Sequence, residues 1–196
     1  MVNMSVYNKL NEDFNFKFIK IFDIKKILKH LESFSEEWSL DTRRQNQVDQ
    51  THKYTEAYYI NLVVGNWKLG SYFLTQNVSR DNELYELTKP IVEHLEKIHD
   101  GVAGVVMYVK LLGKNKVLEH SDNGDYLESV RRHHIPIKTN KDVLFFVNQE
   151  EKNILPGECW EINNNRPHMV LNGGEERIHL IVDIMPNTIL KGESNV

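Results

Sequence analysis

One cysteine, Cys159, is all the sequence holds, so no disulfide can form within the chain and no cysteine-rich zinc site can be assembled. Such sparing use suits a reducing compartment, and a cytoplasmic setting is expected. No run of residues approaches the ~18 consecutive apolar positions of a membrane span. The opening stretch, MVNMSVYNKLNEDF, lacks the apolar segment of a signal peptide. A soluble protein without membrane attachment is therefore expected. Positive charge is not in excess either: 24 Lys and Arg stand against 28 Asp and Glu, for a formal charge of −4. A general attraction to phosphate backbones or anionic lipid is absent, which disfavours nucleic acid and membrane surfaces as partners. Repeats, low-complexity tracts and linker-like stretches are also missing. The 196 residues are expected to form one domain. Residues 1–100 or so supply helices and outer strands, and residues 101–186 or so a β core.

Apolar residues make up 40% of the chain, enough for a continuous core. Residues 16–22 (FKFIKIF) alternate like a strand. Asp23 then reads as a helix cap before Ile24, Ile27, Leu28, Leu31 and Phe34 at helical spacing. Residues 56–63 read as a strand and residues 82–99 as a helical run that Pro90 is expected to divide. After Asp100-Gly101 the pattern changes to short strands at 103–112, 133–138, 142–149, 158–163, 168–171 and 176–184. Asn, Gly and Pro punctuate them. That spacing predicts a mainly β fold with flanking helices, a jelly roll of the double-stranded β-helix type, with a generic α+β domain as the alternative.

The segment LEHSDNGDY places His120 and Asp122 two residues apart, so in an extended chain both face one side. His168, in NRPHMV, is a candidate third ligand. Two imidazoles and a carboxylate on one face of an octahedron leave open positions, the arrangement of non-haem Fe(II) oxygenases, where a keto acid can chelate. A zinc hydrolase can use the same ligands. The run HMVLNGGEERIHLIVDI reads as a hairpin about Asn172-Gly173-Gly174, which brings His168 opposite Arg177, Ile178 or His179. A guanidinium there can fork onto the distal carboxylate of a keto acid. The plain alternative for Arg177 is a solvated strand charge beside Glu175 and Glu176.

These segments resemble the aspartyl/asparaginyl β-hydroxylase domain, a branch of the Fe(II)- and 2-oxoglutarate-dependent oxygenases that includes bacterial free-amino-acid hydroxylases. The resemblance is carried by HSD (120–122), RRHHIPI (131–137), PGECWEINN (156–164), PHMVLN (167–172) and RIHLIVD (177–183), with a weaker echo over residues 38–62. It implies that His120, Asp122 and His168 hold iron and that 2-oxoglutarate and O2 are cosubstrates. It further implies that Arg177 pairs with the distal carboxylate of 2-oxoglutarate. Arg132 and His134 then match the pair at the carboxylate beside the keto group, unless a one-residue slip puts Arg131 and His133 there. Where some members use a small hydroxyl residue to hold the cosubstrate, this chain has Val109. Asp122 is absent from some animal members, and its presence argues against a halogenase.

The activity so implied is a dioxygenase reaction that hydroxylates an amino acid or amino-acid derivative and releases succinate and CO2. A peptide or protein Asp/Asn-type side chain is the alternative substrate, and a non-catalytic cupin-like sensor of metal or a small acid the alternative function. Arg43, His52 and Tyr58 are candidate substrate contacts, with Arg44 beside them. Trp160 reads as a sheet residue, Cys159 as a small core group, Gly157 as a turn residue and His179 as a supporting partner in the site. Asn163 and Asn164 shape the loop before His168. His30, His94 and His99 fall in helical stretches and read as exposed.

Overall fold

The computed structural model describes residues 13–33, 39–40, 57–68, 71–76 and 82–191. Arg43, Arg44 and His52 lie outside them. Strand β1 (Phe16–Ile21) leads into helix α1 (Lys25–Ser33), whose first turn is closed by Asp23 Oδ1 accepting from the Lys25 N–H at 3.1 Å. Then come β2 (Ser39–Leu40), β3 (Ala57–Lys68), β4 (Ser71–Gln76) and helix α2 (Asn82–His99). The second half holds β5 (Gly101–Leu111), β6 (Lys116–His120), the short α3 (Asp125–Ser129), β7 (Arg131–Lys138), β8 (Val143–Val147) and β9 (Glu150–Lys152). β10 (Glu158–Ile162), β11 (His168–Asn172), β12 (Arg177–Pro186) and α4 (Asn187–Lys191) complete it.

The strands form two antiparallel sheets. The larger has the order β1-β10-β7-β12-β5-β3-β2, with β4 on β3; the smaller has the order β6-β11-β8-β9. β12 lies at the middle of the larger sheet, which is why RIHLIVDIMP is buried at every position. Alternation sorts its side chains between two cores. Ile178, Leu180, Val182 and Ile184 join Tyr108, Ile135, Ile137 and the α1 and α2 residues Ile27, Leu31, Leu84, Ile91 and Leu95 in the layer under the helices. Ile181 joins Met107, Val109, Leu111, Phe145, Val147 and Val170 between the sheets. Fully burying each such side chain stabilises by ~1.5–3 kcal/mol. Among the described residues no helix is long and apolar enough to cross a membrane.

Two expectations are corrected here. Pro90 does not divide α2, which runs unbroken from Asn82 to His99. Pro90 is on the exposed side, and Leu84, Ile91 and Leu95 dock both halves of the helix on one core. The predicted hairpin of residues 168–184 does not form either: β11 pairs with β6 and β8, and β12 with β5 and β7. The Asn172-Gly173-Gly174 turn carries the chain from one sheet to the other. Its polar groups are met by the end of β5 and the loop before β8, not by β12. Asn172 Nδ2 donates to the carbonyls of Leu111 and Leu112 at 3.2 and 2.9 Å, and the Gly173 N–H donates to Asp142 O at 3.2 Å. Gly157 does act as a turn residue, with φ +80 and the Phe22 carbonyl 2.6 Å from where a Cβ would stand.

Candidate metal centre

His120 ends β6 and His168 begins β11, and antiparallel pairing makes the two direct cross-strand partners. Their rings lie 4.3 Å apart between centroids. Asp122 follows in the loop, where its N–H donates to Asn164 O at 3.0 Å and its Oδ2 accepts from Asn164 Nδ2 at 3.2 Å. His120 Nε2 is 3.8 Å from Asp122 Oδ1, and one ligand atom from each of His120, Asp122 and His168 lies within 4.8 Å of the others.

Proton positions favour a metal at this point. His120 Nδ1 meets Leu118 O at 2.8 Å and His168 Nδ1 meets Arg166 O at 2.9 Å. A carbonyl only accepts, so each Nδ1 carries the proton and each Nε2 turns a lone pair toward the shared centre. Burial lowers the His168 pKa to about 4, against the opposing pull of Asp122, so its imidazole is neutral near pH 7. Burial alone would raise the Asp122 pKa; Arg132, His168, His120 and the Asn164 hydrogen bond outweigh it and hold the carboxyl below its ordinary value. Two imidazoles, each with Nδ1 on a carbonyl, and one carboxylate converging on a shared centre fit a divalent ion.

Strand alternation sorts the basic residues of β7. Arg132 is held by Asp122 and Asp183, which join it to the triad's side of the sheet, and His134 stacks edge-on against Phe145 between the sheets, ring centroids 5.0 Å apart. Arg131 and His133 alternate with them and face the helix layer, with His133 against His99 of α2 at 4.8 Å between ring centroids. Arg132 Nε and Nη2 fork onto Asp183 at 2.8 and 2.9 Å, and Nη1 ion-pairs with Asp122. Arg177, 4% exposed, is a buried charge and not the solvated one that its acidic neighbours suggest. Its Nη1 lies 3.2 Å from His179 Nε2, and the His179 and His134 rings are 5.7 Å apart. Burial, with Arg177 and His134 next in order, holds the His179 pKa well below its ordinary value. His134 is depressed likewise by burial, then by Arg132, Arg177 and His168, so these groups share one electrostatic neighbourhood. Nδ1 of His134 is buried without a hydrogen-bond partner. Val109 lies in the apolar lining.

The sequence reading missed Asp183, fully buried and gripping Arg132, and Tyr126, whose hydroxyl donates to Asp183 Oδ2 at 3.3 Å. The signal for Asp183 was there: it continues the two-residue alternation of Arg177, His179 and Ile181. His99 was misjudged as exposed; its side chain is 7% exposed and turned inward. His94 packs edge-on against Phe22, with centroids 5.5 Å apart, and His30 is also partly covered. Tyr58 lies on β3, opposite Lys110 in the register.

A model of the family described as Aspartyl/Asparaginyl beta-hydroxylase matches residues 22–186. Solved structures of the same fold include an oxidoreductase of the 2OG-Fe(II) oxygenase family from Burkholderia pseudomallei, at 12% identity and TM-score 0.62, covering 87% of this chain and 85% of that one. A prolyl hydroxylase from Trichoplax adhaerens, solved with a peptide fragment of the hypoxia inducible factor oxygen degradation domain, aligns over 94% of this chain and 89% of its own, at 13% identity and TM-score 0.57. A Pseudomonas putida prolyl-4-hydroxylase aligns over 89% and 94%, at 10% identity and TM-score 0.55. At such identities the likeness is one of fold, the double-stranded β-helix. No curated protein matches the sequence.

Proposed function

The chain belongs to the aspartyl/asparaginyl beta-hydroxylase family, and from that membership we propose an Fe(II)- and 2-oxoglutarate-dependent hydroxylase of a free amino acid or small amino-acid derivative. The observation that carries the reading is the convergence of His120, Asp122 and His168, with both Nε2 lone pairs directed inward. These three would hold the iron. When bound, the metal activates O2 at the expense of 2-oxoglutarate, which leaves as succinate and CO2 while an unactivated substrate carbon gains a hydroxyl.

The chain's own residues bind and orient. Arg177, steadied by His179, would take the distal carboxylate of 2-oxoglutarate as a charge-assisted fork. Arg132 and His134 would serve the carboxylate beside the keto group. Asp183 fixes the Arg132 guanidinium, and Arg132 in turn orients Asp122, so ligand and cosubstrate positions are coupled through one side chain. Met107, Val109, Phe145 and Ile181 keep water from the interior, where charge interactions are stronger than in solvent. On the substrate side, Arg43, His52 and Tyr58 are the proposed contacts, and Arg43 suits an amino acid's carboxylate.

A panel of free amino acids and peptides, supplied with Fe(II), 2-oxoglutarate, ascorbate and air, tests the substrate class through succinate release. Stimulation by one or a few free amino acids is expected. Stimulation by peptides alone would move the substrate to a peptide or protein side chain. Decay of 2-oxoglutarate that no substrate accelerates would favour a sensor.

A further inference from the structure

On the face of the larger sheet turned away from the triad, a second group of ligating side chains meets beneath the end of α2. His99 is the last residue of that helix, and the negative end of the helix dipole favours a cation there. Glu161 on β10 is the cross-strand partner of His133 on β7. Nitrogen and oxygen atoms from His99, His133 and Glu161 lie within 4.8 Å of one another. His99 Nε2 is 2.8 Å from His133 Nε2 and 4.0 Å from Glu161 Oε2. His133 is 0% exposed and Glu161 2%.

The buried carboxylate is what points to a metal here, with the two rings already turned toward each other. His133 Nδ1 donates to Val182 O at 3.1 Å, so its Nε2 accepts from His99 Nε2–H at 2.8 Å, and a metal would take the place of that one shared proton once His99 carries its own on Nδ1. Burial lowers both His99 and His133 to about 4, so both rings are neutral near pH 7. Arg131 Nη1 holds Glu161 Oε1 at 2.7 Å and fixes the carboxylate, as outer partners of metal ligands do. Glu161 Oε2 is buried with no hydrogen-bond partner. Lys17 Nζ stands 3.7 Å from it, beyond hydrogen-bonding range, on a side chain 49% exposed. A buried carboxylate oxygen left so is costly, and a cation is what would satisfy it. Zinc bonds to imidazole and carboxylate of about 2.0–2.2 Å put tetrahedral neighbours about 3.3 Å apart. The observed 2.8 and 4.0 Å straddle that distance, so side-chain adjustment suffices.

We propose that His99, His133 and Glu161 form a second metal site that binds Zn²⁺ and staples the end of α2 to β7 and β10. The site lies across the sheet from His120, Asp122 and His168, leaves the ion's fourth position to water, and does not depend on the functional reading above.

The test uses the full chain, stripped with chelator, dialysed against buffered Zn²⁺ and measured for zinc per folded chain. Wild type is expected to hold two ions, one at each site, because zinc also suits the triad. An Asp122→Ala/His168→Ala variant is expected to keep one, and His99→Asn to keep one. Zinc absorption fine structure on the triad-deficient chain is expected to show imidazole ligands. This readout does not depend on whether His99→Asn folds. A folded triad-deficient chain that holds no zinc, or holds it without imidazole, overturns the proposal. Unchanged stoichiometry in folded His99→Asn does the same.

Discussion

Asp183 is the residue on which the site's internal order rests most directly. It is 0% exposed, and it meets Arg132 through two hydrogen bonds of 2.8 and 2.9 Å. Asp183→Asn leaves a buried guanidinium with one carboxylate partner fewer. The expected loss of stability in urea unfolding is ~3–5 kcal/mol. A loss below ~1 kcal/mol would mean that Asp122 alone suffices for Arg132. Arg177→Met tests the other cation. Removing a charge-assisted fork costs ~1.5–3 kcal/mol, so the 2-oxoglutarate concentration for half-maximal turnover is expected to rise about ten- to a hundredfold. An unchanged value would take Arg177 out of cosubstrate binding. At this scale the sequence was informative wherever two-residue alternation applied. It put His120 with Asp122 on one side, whereas the pairing of Arg132 with His134 rested on the family resemblance. It left open which pair of β7 faces the triad, because burial on both faces of a central strand removes the polar-out signal. His99 was misread because a histidine at a helix end looks solvated until the partner beneath it is known.

Among the elements, α2 and the β11–β12 connection carry the lesson. The apolar spacing of Leu84, Leu87, Ile91, Leu95 and Ile98 was enough to find the helix, although Ile98 is 44% exposed and does not join the buried face, but it did not decide what Pro90 does inside it. That depends on which side faces water. Because the helix survives its proline through packing, Pro90→Ala restores a backbone donor without disturbing the buried face. A gain in stability of ~1–3 kcal/mol is expected in thermal or urea unfolding. A loss would show that the proline ring is needed in place. The Asn-Gly-Gly run signalled a turn correctly and its partner wrongly. Local residue chemistry sets the turn, whereas the choice between pairing β11 with β12 and sending each to its own sheet belongs to long-range contacts of β12 with β5 and β7. Asn140, Asp142 and Asn172 stabilise the crossing, and nothing in their own segment announces it.

For the whole molecule, two sheets enclose one ligand-lined interior, and helices close the outer face of the larger one. Burying several neutral histidines has a consequence for stability. His133 and His168 are lowered to about 4 in the folded chain, and His134 and His179 lie well below their ordinary value. The unfolded chain therefore binds more protons, and the stabilisation present above pH ~6.5 is lost as pH falls toward about 4. In metal-stripped protein the expected slope is at least about 1.4 kcal/mol per pH unit across that window. Flat stability between pH 7 and 4.5 would show that these rings are not held neutral. The most direct test of the account is an anaerobic titration of the Fe(II)-loaded chain with 2-oxoglutarate, followed by visible absorption. A charge-transfer band saturating at one equivalent, lost in His168→Ala, is the expected result. No band in the wild-type chain, or an undiminished one in His168→Ala, would contradict the assignment of His120, Asp122 and His168 as the iron site.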